Sequence, residues 1–223
     1  MIAAALIPAR KGSRGVPHKN TAPIHGRSLV ERAIACAKAV PEIDGQIYVS
    51  TDDEVAACQA MKQGVRAIHR PPDLAADDTP MVRVILHAIH DMNPKPDILV
   101  LLQPTTPSRT WEMVQDAVQS LKRQPSLDSV VSVVPLPLTH SPEMTMTVQD
   151  HRLSFYAKEV PVCRQDARRV YIRDGSVYAM RVSSLRKHGS IYGLNCMPYI
   201  LRPDESLNID TQAEWDRAHT LLR

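Results

Sequence analysis

Apolar and polar positions along this chain fall into alternating blocks. Residues 2–7 form a short unbroken apolar run closed by Pro8, the pattern of a strand buried on both faces. Residues 46–50, 66–69, 98–102 and 129–134 read as further strands. Between them lie helical stretches with recognisable starts and stops. Ser28-Leu29-Val30-Glu31 is a capping box that opens a helix running to about Val40, just before Pro41. A helix over 54–63 follows Thr51 and Asp52 as candidate caps, one of Asp52 and Asp53 having that role, and Gly64 closes it. Thr79 opens a helix to about Met92, and Thr110 one to about Arg123. Residues 211–222 form a last helix, with Ala213, Ala218, Leu221 and Leu222 as its buried stripe. Strands separated by helices of this length predict βαβ units, a mostly parallel sheet and helices on both faces, a three-layered, Rossmann-like α/β fold. Ligands of such sheets sit beyond the carboxyl ends of the strands. That directs attention to residues 8–20, 50–53 and 103–109.

The rhythm changes after Pro135. Four prolines (135, 137, 142 and 161) and short alternating stretches mark residues 135–174 as an arm of short strands, in position for a dimer contact. The organisation expected is a core over 1–134, the arm over 135–174, and a return to the sheet at 176–181 within a closing segment 175–223.

Composition narrows the function. A chain of 223 residues with 43% apolar and 23% charged side chains suits one packed domain. A net charge of +3 is too small for a nucleic-acid surface, and a single Phe leaves little for base-stacking platforms. No apolar run reaches the ~20 residues of a membrane span. The basic residues near the start follow the apolar run instead of preceding it, the reverse of a secretory signal. Four cysteines without C-x-x-C spacing fit reduced thiols and a cytoplasmic location. The distribution of charge says more than its total. Arg10, Lys11, Arg14, Lys19 and Arg27 precede the first acid, Glu31, so a local anion site lies just after the first strand.

That loop reads P-A-R-K-G-S-R-G-V-P-H-K-N over 8–20. Gly12 and Gly15 allow close backbone approach, Ser13 adds a hydroxyl, and Arg10, Arg14 and Lys19 supply positive charge, a combination suited to a phosphate chain. Neither a Walker A loop nor G-x-G-x-x-G is present.

The loop resembles the signature of the acylneuraminate (CMP-sialic acid) cytidylyltransferase family. Further blocks match in order: V-S-T-D-D-E-V-A (49–56), R-P-P-D-L-A-A-D-D (70–78), L-L-Q-P-T-T-P-S-R (101–109), R-D-G-S-V-Y (173–178) and S-L-N-I-D-T (206–211). The resemblance implies a nucleotidyltransferase-type fold and a CTP-dependent enzyme that moves CMP onto the anomeric hydroxyl of an acidic α-keto sugar and releases pyrophosphate. It places Arg10, Gly12, Ser13, Arg14 and Lys19 at the triphosphate, with Arg14 where the family has Lys. Asn20 falls where cytosine is read, and Arg70 on the nucleotide side. Gln103 falls between nucleotide and sugar, so Arg10, Lys19, Gln103 and Asp210 form the catalytic set. Arg164, Gln165, Asp174 and Tyr178 fall on the sugar side, the first two reaching the site from the arm of a homodimer. Asp210 matches a Mg²⁺ ligand, with Asn208 where the family often has a second Asp. Asp174 replaces an Asn, and a carboxylate beside an acidic substrate is repulsive unless an arginine answers it. Legionaminate, pseudaminate, a shorter keto-deoxy sugar or a phosphonate are alternative acceptors, and a non-catalytic nucleotide-binding protein is the alternative of another class.

Overall fold

A computed structural model describes residues 1–12, 15–43, 45–157 and 168–222. In chain order the strands are β1 (Ala3–Pro8), β2 (Pro23–Ile24), β3 (Arg27–Ser28), β4 (Ile47–Thr51), β5 (Arg66–His69), β6 (Ile98–Leu101), β7 (Ser129–Pro135), β8 (Met146–Gln149), β9 (Arg152–Phe155), β10 (Tyr171–Arg181) and β11 (Cys196–Ile200). The helices are α1 (Leu29–Lys38), α2 (Glu54–Lys62), α3 (Pro72–Ala75), α4 (Met81–Asp91), α5 (Trp111–Arg123), α6 (Val182–His188) and α7 (Gln212–Leu221).

Seven strands form the central sheet in the order β11-β7-β10-β6-β1-β4-β5. β10 runs antiparallel to both β6 and β7, and the other pairings are parallel. The alternation of side chains along each strand feeds two cores. Ala3, Ala5 and Ile7 pack with Val30 and Ile34 of α1, Ala56 of α2 and Val114 of α5. Ala4 and Leu6 face the other way, toward Ile85 and Ile89 of α4 and Leu185 of α6. Both faces of β1 are therefore dry, which is why its sequence is an unbroken apolar run rather than an alternating one. The three-layered, mostly parallel α/β architecture is the one expected.

Several local expectations are refined. The capping box at Ser28 and Glu31 forms. The cap of α2 is Asp53, which accepts from Val55 N at 2.9 Å, while the Thr51 hydroxyl accepts from Asp53 N. Thr79 does not cap α4. Its hydroxyl donates to Asp73 O, and Pro80, which has no N–H to satisfy, precedes the helix. β10 begins at Tyr171, five residues before the expected return to the sheet, because Tyr171 and Ile172 pair with the far end of β7. In α7 the buried residues are Trp215 and Ala218, whereas Leu221 is exposed. Ala218 and the partly buried Leu222 pack on this core as expected, joined by Trp215, while Ala213 is exposed.

The β8–β9 hairpin stands off the sheet, and Val148, Leu153 and Phe155 on it are exposed. A third, smaller core joins Val16, Ile24 and Leu29 to Leu207, Ile209, Trp215 and Ala218. It brings the loop after β1 against the chain entering α7. No helix among the described residues is long and apolar enough to cross a membrane.

Candidate active site

β1 lies between β4 on one side and β6 on the other, so successive connections leave it in opposite directions. The loops leaving β1 and β6 separate there and open a crevice at the carboxyl edge of the sheet. A cleft of about 460 Å³ occupies it. Its lining comes from four separated segments: Pro8, Arg10, Gly12, Gly15, Lys19 and Asn20; Arg70 and Met81; Gln103, Pro104 and Thr105; Asn208 and Asp210.

Short-range chemistry sets each side chain. Lys19 Nζ donates to Ile209 O and to Asp210 Oδ1, both at 2.8 Å, and Asn208 Nδ2 donates to Asp210 Oδ2. The approach needs Gly15, since a Cβ there would lie 1.8 Å from Asp210 O. Arg10 pairs with Asp77. Lys11 N donates to Asp52 Oδ1 at 2.8 Å and ties the loop to the end of β4. Arg70 is buried and anchored to Ser50, donating through Nη2 to Ser50 O at 2.8 Å and through Nε to Ser50 Oγ at 3.2 Å. Burial holds its guanidinium below the usual arginine range, partly offset by Asp52. Asn20 is buried and donates through Nδ2 to Arg10 O at 3.2 Å, while its Oδ1 has no partner among the described residues. A buried amide oxygen left over in this way is suited to a donor on a ligand.

The loop after β6 is stitched on two sides. Thr105 O accepts from Ile209 N at 2.8 Å, and Ser108 Oγ accepts from Leu207 N at 3.0 Å, fixing the segment that carries Asn208 and Asp210. On its other side Arg109 reaches β10, and burial pushes its guanidinium down to about 10, with Cys36 and Asp174 acting the other way. It stays charged at neutral pH.

Asp174 and Tyr178 do not line this cleft. Both are buried on β10. The Asp174 carboxylate accepts from Ser176 N at 3.2 Å and from the Ser176 hydroxyl, so it shapes its own bend. Tyr178 packs among Leu101, Val131 and Met180, and burial raises its phenol to about 12. Ser13, Arg14, Arg164 and Gln165 lie outside the described residues. Ser50, Thr105, Thr106 and Arg109 lie in the stretches 50–53 and 103–109 that the sequence marks, but no individual role was read for them; they hold the site from behind. The signal available for Arg109 was its place at the end of the L-L-Q-P-T-T-P-S-R block, directly before the cap of α5.

Fold and cleft together define an α/β protein with a cation-lined cleft at the switch point of its sheet. The chain belongs to the cytidylyltransferase family, whose sequence profile matches residues 4–194. It is a CTP-dependent nucleotidyltransferase. A CMP-N,N'-diacetyllegionaminic acid synthase of Legionella pneumophila is 30% identical, over 98% of this chain and 95% of that protein. An N-acylneuraminate cytidylyltransferase of Escherichia coli is 26% identical over 97% of this chain, which spans only 51% of that relative. Among solved structures, a CMP:2-keto-3-deoxy-manno-octonic acid synthetase complexed with CTP superposes with a TM-score of 0.77 at 20% identity, covering 99% of this chain and 98% of that one. That likeness is one of fold.

Proposed function

We propose that the chain transfers CMP from CTP to the anomeric hydroxyl of an acidic α-keto sugar of the N-acylneuraminate or legionaminate type. The observation that carries this reading is convergence. Arg10, Gly12, Lys19, Asn20, Arg70, Gln103, Asn208 and Asp210 come from separate sequence blocks and line one cleft. In the reaction the sugar hydroxyl oxygen bonds to the α-phosphorus of CTP and gives up its proton to water. The bond from that phosphorus to the bridging oxygen breaks, and pyrophosphate leaves. Arg10 and Lys19 stabilise charge on the departing phosphates, the largest contribution available in nucleotidyl transfer. The spare Oδ1 of Asn20 accepts from the amino group of cytosine, and buried Arg70 supports the nucleotide side.

The site also suits Mg²⁺. That ion takes one or two carboxylates and keeps water and phosphate oxygens as its other ligands. Asp210 offers one carboxylate, 60% exposed, with the Asn208 amide against it. Asp210 would hold the ion with Asn208 beside it, and the ion when bound neutralises charge on the phosphate oxygens. The L. pneumophila relative favours a legionaminate-type acceptor. The exposed apolar hairpin β8–β9 supports a homodimer, and the free thiols of Cys36, Cys58 and Cys196 support a cytoplasmic location.

The test is pyrophosphate release with Mg²⁺ and a panel of N-acetylneuraminate, N,N'-diacetyllegionaminate and 2-keto-3-deoxy-manno-octonate, each with CTP, UTP, GTP and ATP. Turnover of at least one acid with CTP, at ten times the rate with other nucleotides, is expected. Preference for another nucleotide, or release with none of the acids, overturns the reading.

A further inference from the structure

The β10 strand is broken where it passes the cleft. Its ladder with β6 ends at Tyr178 opposite Leu101, and its pairing with β7 is interrupted between Arg173 and Tyr178. The bend over 174–177 therefore loses its sheet partners while remaining buried, and its polar backbone groups need others. Side chains supply them. Asp174 accepts from Ser176 N, and Ser132 Oγ serves Val177 through both its N–H and its carbonyl. Two more of its carbonyls, those of Gly175 and Ser176, are met from the loop after β6. Thr106 Oγ1 lies 3.0 Å from Gly175 O, and Arg109 Nε donates to Ser176 O. Arg109 Nη2 also donates to Gln103 O and to Thr106 Oγ1, the latter at 2.7 Å. Thr106 is fully buried and Arg109 nearly so.

These bonds press the two segments together at Gln103. Gly175 has φ +89°, and a Cβ on it would come within 2.6 Å of Gln103 Oε1 and 3.0 Å of Thr106 Cγ2. The amide of Gln103 thus rests on the bare backbone of the β10 bend.

We propose that Arg109 is a positioning residue, acting with Thr106 to lock the Gln103 end of the β6–α5 loop onto the Gly175 bend and so set the placement of the acceptor rather than the affinity for CTP. The assignment of Gln103 to the acceptor rests on the function proposed above. A planar fork serves three acceptors on two segments at once. A lysine keeps the charge but not that geometry.

The experiment compares wild type with Arg109→Lys, Thr106→Val and Thr106→Ser. CTP dissociation constants are read calorimetrically without acceptor, and kcat and acceptor KM by pyrophosphate release with the acid panel. Arg109→Lys and Thr106→Val are expected to lower kcat over acceptor KM by about tenfold or more, with the CTP constant within twofold of wild type. Thr106→Ser, which keeps the hydroxyl, is expected to recover most of the loss. Equal losses in CTP binding and acceptor use, unchanged kinetics, or a Ser variant as poor as Val would overturn the proposal. Should Arg109→Lys fail to fold, the Thr106 pair decides. Hydrogen exchange reads the same coupling with no acceptor present. Protection should fall in 103–109 and 171–180 together and hold in 15–22; unchanged exchange, or loss spread to 15–22, counts against it. If wild type binds CTP but uses none of the acids, the proposed function fails while the exchange result still judges the lock.

Discussion

Lys19 and Gln103 line one cleft but are held there in different ways. Lys19 and Arg10 are cations whose partners, Asp210 and Asp77, sit at the surface with side chains 60% and 40% exposed. The Arg10–Asp77 pair, part-exposed on both sides, contributes little to stability, on the order of 0–1 kcal/mol, while Lys19 is itself mostly buried and meets its acid at the surface. A triphosphate can therefore join or displace them at small cost. Gln103 is neutral, and its backbone is gripped by Arg109 and Thr106 from the protein side. The charges that must meet a ligand are lightly tethered, whereas the amide that sets geometry is built in.

The sharpest way to break the contrast is to remove the charge. Lys19→Ala is expected to lower turnover on the order of 10²–10³-fold; turnover within twofold of wild type removes Lys19 from the phosphate machinery. Gly15→Ala keeps every charge but drives a methyl toward the Asp210 carbonyl, 1.8 Å away, where backbone must yield. A loss of about 10²-fold should follow, and it should appear in CTP binding as well as in kcat. Gly175→Ala tests the other wall. The new methyl meets the movable end of Gln103, so a roughly tenfold loss with CTP affinity intact is expected; a parallel loss of CTP binding would erase the distinction between the walls.

The smallest effect concerns the segment behind Asp210. Glu214 Oε2 accepts from Asp210 N and Thr211 N at 2.8 Å and from the Thr211 hydroxyl at 2.9 Å. Burial works against its ionised form, but these donors prevail and hold its carboxyl below the usual glutamate range. The stability it adds is complete above the ordinary glutamate value and is lost as pH falls through the depressed folded value. Glu214→Gln should cost ~1 kcal/mol at neutral pH, a few degrees at most, and should flatten the acid side of a plot of melting temperature against pH. An acid limb as steep as that of wild type would assign the acid sensitivity elsewhere, with Asp128 next in line because Asn195 and Leu194 N–H groups lower its carboxyl too.

The layered sheet could be read from the chain because its signals are local. An apolar run buried on both faces, a capping box at Ser28 and a Thr110 cap that accepts from Met113 N each lie within a few neighbouring residues. The cations of the first loop were legible for the same reason. What escaped depends on distant partners. That β10 inserts between β7 and β6 follows from the packing of both neighbours and leaves no mark on the periodicity of any of them. No strand was read over 196–200, where Pro198 breaks the strand pattern that an edge position nevertheless tolerates. Arg109 looks like one more charged residue before a helix, and its meaning appears only when the carbonyls of Gln103 and Ser176 are seen to converge on it. Asp174 was read as a neighbour of the acceptor, and the bend that turns its carboxylate onto Ser176 is not visible in the sequence.

The small core shared by Val16, Ile24, Trp215 and Ala218 couples stretches some two hundred positions apart. Divergence in one of them is felt by the other, so the turn leaving β1 and the last helix must drift in concert or not at all. A chimera that grafts either stretch alone from a distant relative would inherit a mismatched seam beside the cleft.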